Sequence, residues 1–333
     1  MRLSYATPFS VPEHRRAAPD YAKLAEAAGY ESVWVPEAFS SDAFTLLGAI
    51  ASHTSRLRLA TGIVNIFSRT PALIAQTFAT LDEISNGRAI IGLGTSGPLV
   101  VQNYHGMSFT KPLTRTREVV EILRLALSGE RINYEGEFFK LNGFKLLIAP
   151  VQKRIPIYLA TFKENAVKQT GAIADGWLPT HVSIKHFAAM RANLAAGAQS
   201  AGRTEDAIDI AALTLTVCAA NGDDARALCA QHLAYYVGGM GAFYHELMHS
   251  YGWGEEADRL QALWKQGDRA GAAKVVTREM LDATVIAGTR DECIAAIEAR
   301  RAAGFKHIVC FPPHGISKEM LADTLRTLGP GQS

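Results

Sequence analysis

Short apolar runs alternate with amphipathic stretches about eight times along the chain, and that alternation limits the folds open to it. The runs lie near Arg2–Ala6 and in ESVWVP, RLRLATGIVNI, RAIIGLG, IPIYLA, DGWLP, DAIDIAALTLTVCAA and FKHIVCF. Between them, DYAKLAEAAG places Tyr21, Leu24, Ala25 and Ala28 at helical intervals and stops at Gly29. FTLLGAIAS, PALIAQTFATLDEI, TREVVEILRLALSG and NAVKQTGAIA read as further helices, with a last one near Lys318–Leu328. A strand followed by a helical crossover pairs in parallel with the next strand. Eight such units in 333 residues predict one α/β domain over 1–333, a (β/α)8 TIM barrel. A doubly wound sheet is the rival that periodicity leaves open. Two excursions absorb the surplus length. INYEGEFFKLNGFKL, at 132–148, reads as a hairpin insertion after the fourth helix, and 221–289 as a helix-rich excursion before the last strand.

Composition narrows the partners. Apolar residues make up 48% of the chain, enough for a large core, and 34 basic residues nearly balance 32 acidic ones. With no polybasic tract, neither nucleic acid nor a membrane surface is an expected partner; a small-molecule substrate is. Cys218, Cys229, Cys293 and Cys310 lie too far apart for a disulfide framework or a cysteine zinc site. No stretch reaches the roughly 18–20 apolar residues of a membrane span, and no leader is visible at the N-terminus. A cytoplasmic protein with reduced thiols is expected.

Barrel sites form at the C-terminal ends of the strands, so those positions carry the candidates. The second strand ends in Pro36-Glu37-Ala38-Phe39. Glu37 can act there as acid, base or hydrogen-bond acceptor, or merely partner the N-terminus of the next helix. The third strand runs through Gly62, Ile63 and Asn65, and a glycine inside an apolar strand marks a bulge or a close backbone approach. The fourth ends in Gly92-Leu93-Gly94-Thr95-Ser96-Gly97, whose glycines let the backbone approach a ligand. The run spells Gly-x-Gly-x-x-Gly, but a lone match of this kind is weak evidence, and a Rossmann dinucleotide site is not expected. The fifth ends in Thr161-Phe162-Lys163 just before a helix, where amides and a lysine suit a phosphate.

His245-Glu246-Leu247-Met248-His249 matches the His-Glu-x-x-His pattern, with Glu255 as a possible third ligand. Read so, the chain would be a zinc metalloprotease. The glycine-rich approach Gly238-Gly239-Met240-Gly241 instead suggests a helix hairpin carrying surface histidines. No bound metal is expected there.

The block TGIVNIFSRTPALIAQTFATLDEISNGRAIIGLGTSGP, followed by YHGMSFTKPLTRTREVVEIL, resembles the bacterial luciferase-like superfamily. It is most similar to the branch that uses the deazaflavin coenzyme F420, which includes methylenetetrahydromethanopterin reductase. IPIYLATFKENAVKQTGAIADGWLP and AGTRDECIAAIEARRAAGFKHIV extend the resemblance over nearly the whole chain. The resemblance implies a (β/α)8 barrel with a flavin-like cofactor on its C-terminal face. It implies hydride transfer between the deazaflavin C5 and an organic substrate, and a homodimer.

Residue by residue, Gly62-Ile63 falls where the family has a non-proline cis peptide behind the deazaflavin ring. Glu37 falls where relatives place an acid beside it and is the catalytic candidate, with His105 and His181 as alternatives. Gly94, Thr95 and Ser96 fall on the loop that lines the cofactor, beside Asn65, and Thr161, Phe162 and Lys163 fall on the phosphate loop. Sugar-phosphate chemistry is not implied. Ala38 stands where those dehydrogenases have a histidine, Phe162-Lys163 where they have two glycines, and Ala283 where they have an arginine. The alternatives are an FMN-dependent monooxygenase and a cofactor-binding protein without turnover.

Overall fold

The computed structural model describes residues 1–9 and 11–332. Its centre is a closed barrel of eight parallel strands: Arg2–Ala6, Ser32–Val35, Arg58–Thr61, Ala89–Gly94, Ile157–Leu159, Gly176–Trp177, Asp209–Cys218 and His307–Phe311. They pair in chain order, and the eighth closes on both the first and the seventh. The pairs Tyr5↔Val33, Val33↔Leu59 and Leu59↔Ala89 show the register. The second and fourth strands are buried along their whole length, because side chains on one face fill the barrel while those on the other pack under helices. That is why they read as unbroken apolar runs. The rival doubly wound sheet is excluded by the closure.

The crossover helices form where the spacing predicts. Pro71–Ile84 starts with the Thr70 side chain accepting from the Leu73 amide and buries Ile74, Ala75, Phe78, Ala79 and Leu81 against the barrel. Cutting the fully buried Phe78 to alanine would cost about 3–5 kcal/mol. The hairpin appears as Ile132–Glu135 paired antiparallel with Lys140–Phe144. The excursion holds five helices from Gly222 to Thr284, then a short strand, Ile286–Gly288, that extends the pairing of the seventh strand.

Two helices escape the hydrophobic spacing. Phe187–Ser200 packs on Glu164–Ile173 through glycines: a Cβ at Gly197 would stand 1.8 Å from the Lys168 carbonyl oxygen, and one at Gly171 2.1 Å from that of Leu194. A contact made by missing side chains leaves no apolar stripe. Arg290–Ala302 buries only Cys293 and Arg300, so its sequence signal is the capping box of Thr289 and Glu292 instead. All four cysteines are buried and free. Among the described residues no helix is long and apolar enough to cross a membrane.

Candidate active site

The strand ends open into a mouth walled by aromatic rings. Phe9, Phe39 and Tyr104 meet edge to face with centroids 5.3 and 5.4 Å apart. On the far side Phe162 meets Phe243 edge-on at 5.7 Å and lies 6.1 Å from Tyr244. Phe243 and Tyr244 sit on the excursion helix Ala242–Ser250, which therefore covers the barrel. Such walls suit a flat, partly apolar ring system.

On the floor, the third strand breaks after Thr61, and the Gly62–Ile63 peptide bond is cis. The Ile63 side chain lies against Gly94 of the fourth strand; a Cβ at Gly94 would stand 2.8 Å from Ile63 Cγ1, so only glycine admits it. Asn65 is 2% exposed. Its Oδ1 accepts from the Phe67 amide at 2.8 Å, which fixes the orientation of the side-chain amide and leaves Nδ2 buried without a partner. A buried donor held in this way is a place for a ligand acceptor. Thr95 and Ser96 are half-buried on the loop beyond, with Ser96 in the left-handed region at φ 55°.

Glu37 is tied to the scaffold. Arg69 reaches it with two bonds, Nε to Oε1 and Nη2 to Oε2, both 3.1 Å, and the Ala43 amide donates to Oε2 at 2.9 Å. Arg69 also bonds Asp42, whose side chain caps the helix Ala43–Ala51. The backbone amide of Glu37 donates to the Ile63 carbonyl at 3.2 Å, so this clamp adjoins the floor. A carboxylate with both oxygens occupied orients its neighbours readily.

At the fifth strand's end, the Thr161 hydroxyl faces Thr170 Oγ1 at 2.9 Å, and its carbonyl accepts from Trp177 Nε1. Thr161 thus locks the turn onto its own helix. No side chain caps the first amides of Glu164–Ile173, and Lys163 precedes them. Lys163 Nζ lies 2.9 Å from Glu246 Oε2 and 5.1 Å from the Phe243 ring.

Opposite the clamp stands a histidine group of which the sequence offers only His181, as an alternative to Glu37. His181, after the sixth strand, is 1% exposed, sits at φ 51°, and has no partner on either ring nitrogen. It packs edge-on against Tyr236 and Tyr244 at 4.8 and 5.4 Å. Burial pushes it down to about 4, so it is neutral at pH 7. His232, on the excursion helix Gly222–Gly239, stacks on Tyr236 at 4.7 Å and lies 4.2 Å from His314, which follows the eighth strand. The His314 amide donates to His232 Nδ1, so a neutral His232 carries its proton on Nε2, which has no partner. Burial also pushes both of these histidines down. Nothing in their sequence spacing links the three. His105, by contrast, is exposed, and Ala283 is buried with its carbonyl accepting from Ile184.

The His-Glu-x-x-His helix does not build the proposed protease site. Glu246 pairs with Lys163, and the residue meeting His245 and His249 is Asp258 rather than Glu255.

Residues 1–307 match the family described as luciferase-like monooxygenase. A 5,10-methylenetetrahydromethanopterin reductase of Archaeoglobus fulgidus is 33% identical over 305 residues, covering 90% of each chain. The structure of a coenzyme F420-dependent tetrahydromethanopterin reductase from Methanopyrus kandleri superposes with a TM-score of 0.88 at 28% identity, over 99% of this chain and 98% of that one. An F420-dependent secondary alcohol dehydrogenase, 21% identical, shares the fold at a TM-score of 0.82 over 100% and 99% of the two chains.

Proposed function

Because the chain belongs to the luciferase-like family, we propose that it is an oxidoreductase dependent on coenzyme F420, passing a hydride between the deazaflavin C5 and a small organic substrate. The observation that carries the reading is the likeness to an F420-dependent reductase along 99% of the chain. The mouth fits such a group: aromatic walls, a floor shaped by Ile63 and Gly94, and the buried, unpartnered Nδ2 of Asn65.

When bound, the cofactor supplies a ring that gives or takes a hydride. The chain's own residues position and shield it. Ile63 would support the ring, and Asn65 Nδ2 would offer its hydrogen to a cofactor acceptor. Gly94, Thr95 and Ser96 line its edge. Lys163 and the first amides of Glu164–Ile173 hold the phosphate or acidic tail, with Phe162 and the locked turn of Thr161 beside them. Glu37 serves through Arg69, holding the strand-two loop against Gly62–Ile63 as a positioning residue. Neutral His181 would present an unpartnered ring nitrogen to the substrate and would take up the proton released when the substrate is oxidised. The aromatic cover keeps water from the reacting atoms.

Fluorescence titration of the purified protein with F420 and, separately, FMN tests this reading. F420 should bind with a dissociation constant in the micromolar range or tighter, about −8 kcal/mol, and FMN more weakly. FMN binding tighter than F420 would replace the proposal with a flavin monooxygenase.

A further inference from the structure

We propose that His245, His249 and Asp258 form a binding site for a divalent transition metal of the zinc class, clipping together the two excursion helices Ala242–Ser250 and Gly254–Lys265. The two histidines are four residues apart on one helix and so share a face. The turn at 251–253 folds the next helix back, and Asp258 arrives from it. Both imidazoles point Nε2 at the same carboxylate oxygen: His245 lies 2.8 Å and His249 3.0 Å from Asp258 Oδ1. One nitrogen from each ring and one carboxylate oxygen lie within 4.8 Å of one another. Tetrahedral zinc with bonds of about 2.1 Å spaces its donors about 3.4 Å apart, so each histidine nitrogen needs to draw back from the Asp258 oxygen by only about half an ångström. Two imidazoles and one carboxylate, with no thiolate, select zinc and its transition-metal neighbours over magnesium and calcium, which demand oxygen shells.

The surroundings keep the set in place. Gly254 leaves room for the His249 ring: a Cβ there would stand 2.7 Å from His249 Nδ1. Tyr251 and Trp253, buried in the connecting turn, fix the angle between the two helices. Glu246 on the first helix is committed to Lys163 and takes no part. Three protein donors leave a fourth position to water, and the exposure of Asp258 and His249 puts the site on the solvent side of the helix pair that it clips together. It replaces the sequence expectation of no metal, because the donor that completes it is not the one the sequence pattern offers.

The test uses full-length protein without a polyhistidine tag, stripped with chelator and titrated with Zn2+, then with Co2+ as a spectroscopic probe. One equivalent of Zn2+ should bind at micromolar concentration, raise the unfolding midpoint, and compete with Co2+ for a site showing tetrahedral visible absorption. His249→Ala should weaken binding at least a hundredfold, and Asp258→Asn at least tenfold, with both apo variants unfolding within a few degrees of the apo wild type. Glu255→Gln should bind as wild type does. Wild-type binding by His249→Ala and Asp258→Asn, or weakening by Glu255→Gln alone, would overturn the site. So would a midpoint that Mg2+ raises as much as Zn2+. None of these outcomes depends on F420.

Discussion

The two ends of the barrel treat their carboxylates and their histidines differently. At the N-terminal end three carboxylates are saturated, although the Tyr30 hydroxyl before the second strand and Arg300 Nε keep no partner. Asp209 collects Arg2, Tyr158 Oη at 2.8 Å and His307 Nδ1 at 2.9 Å, and His307 Nε2 continues to Ser4 Oγ at 2.8 Å. Asp175 holds Arg124, Arg154 and the Ile157 amide, while fully buried Asp82 holds both the amide and the side chain of Gln152. At the C-terminal end, Asn65, His181, His232 and His314 each keep a buried nitrogen without a partner. A saturated group stabilises the fold, whereas an unpaired one costs stability unless a ligand completes it. The clustering of unpartnered histidine nitrogens at the C-terminal end is what supports placing the site there.

The sharpest way to break this comparison is Asp209→Asn. The side chain is 18% exposed, and removing its charge takes a shared acceptor from Arg2, Tyr158 and His307 while Arg2 keeps Glu31, so the loss should be about 2 kcal/mol with F420 affinity unchanged. Burial pushes this carboxyl up, but His307, Arg2 and Tyr158 outweigh that and hold it down at about 2. A depressed carboxyl contributes fully above its unfolded value near 4 and loses that contribution as the pH falls toward 2. Chemical denaturation should therefore show an acid limb larger by roughly 2 kcal/mol in the wild type than in Asp209→Asn, both proteins keeping the share of Asp175, Glu26 and Asp42. Equal acid limbs in both proteins would remove Asp209 from the scaffold account.

Lys163→Ala probes the site end. The ion pair with Glu246 is more than half exposed on both sides, so stability should stay within about 0.5 kcal/mol. F420 affinity should fall about tenfold, and by less at high salt, because a charge-assisted contact is lost while the helix amides remain. Unchanged affinity at both salt concentrations would place the tail elsewhere.

The smallest effect is the most diagnostic. His181→Phe keeps a ring against Tyr236 and Tyr244 but removes two unpartnered buried nitrogens, so the free protein should gain about 1 kcal/mol in urea denaturation. A loss of similar size would mean that His181 has a structural partner and is not held open for a ligand.

Much of this was legible in the residues. The strand–helix alternation predicts the barrel because burial on both strand faces and on one helix face leaves its mark directly on the order of side chains. Gly62-Ile63, Asn65 and Gly94 sit together as the strand-end reading expects, since neighbouring parallel strands bring their ends to one rim. Glu37 ends the second strand beside this floor, but what its side chain bonds is not legible in the sequence. Arg69, 32 positions on, looks like any loop arginine until the fold turns it onto both carboxylate oxygens. The helix Phe187–Ser200 was invisible to hydrophobic spacing because glycines make its contact.

The sequence by itself determined the barrel, the excursions and the end of the molecule where chemistry belongs, because these follow from periodicity and local chain stiffness. Tertiary structure alone decided which distant groups meet there. His181, His232 and His314 converge only because the excursion helix folds back over the mouth, with 82 positions separating His232 from His314. Asp258, and not Glu255, reaches His245 and His249 because the packing of two short helices across a buried turn sets which face looks inward. Such meetings depend on the angle between packed elements, and no spacing within either element records that angle.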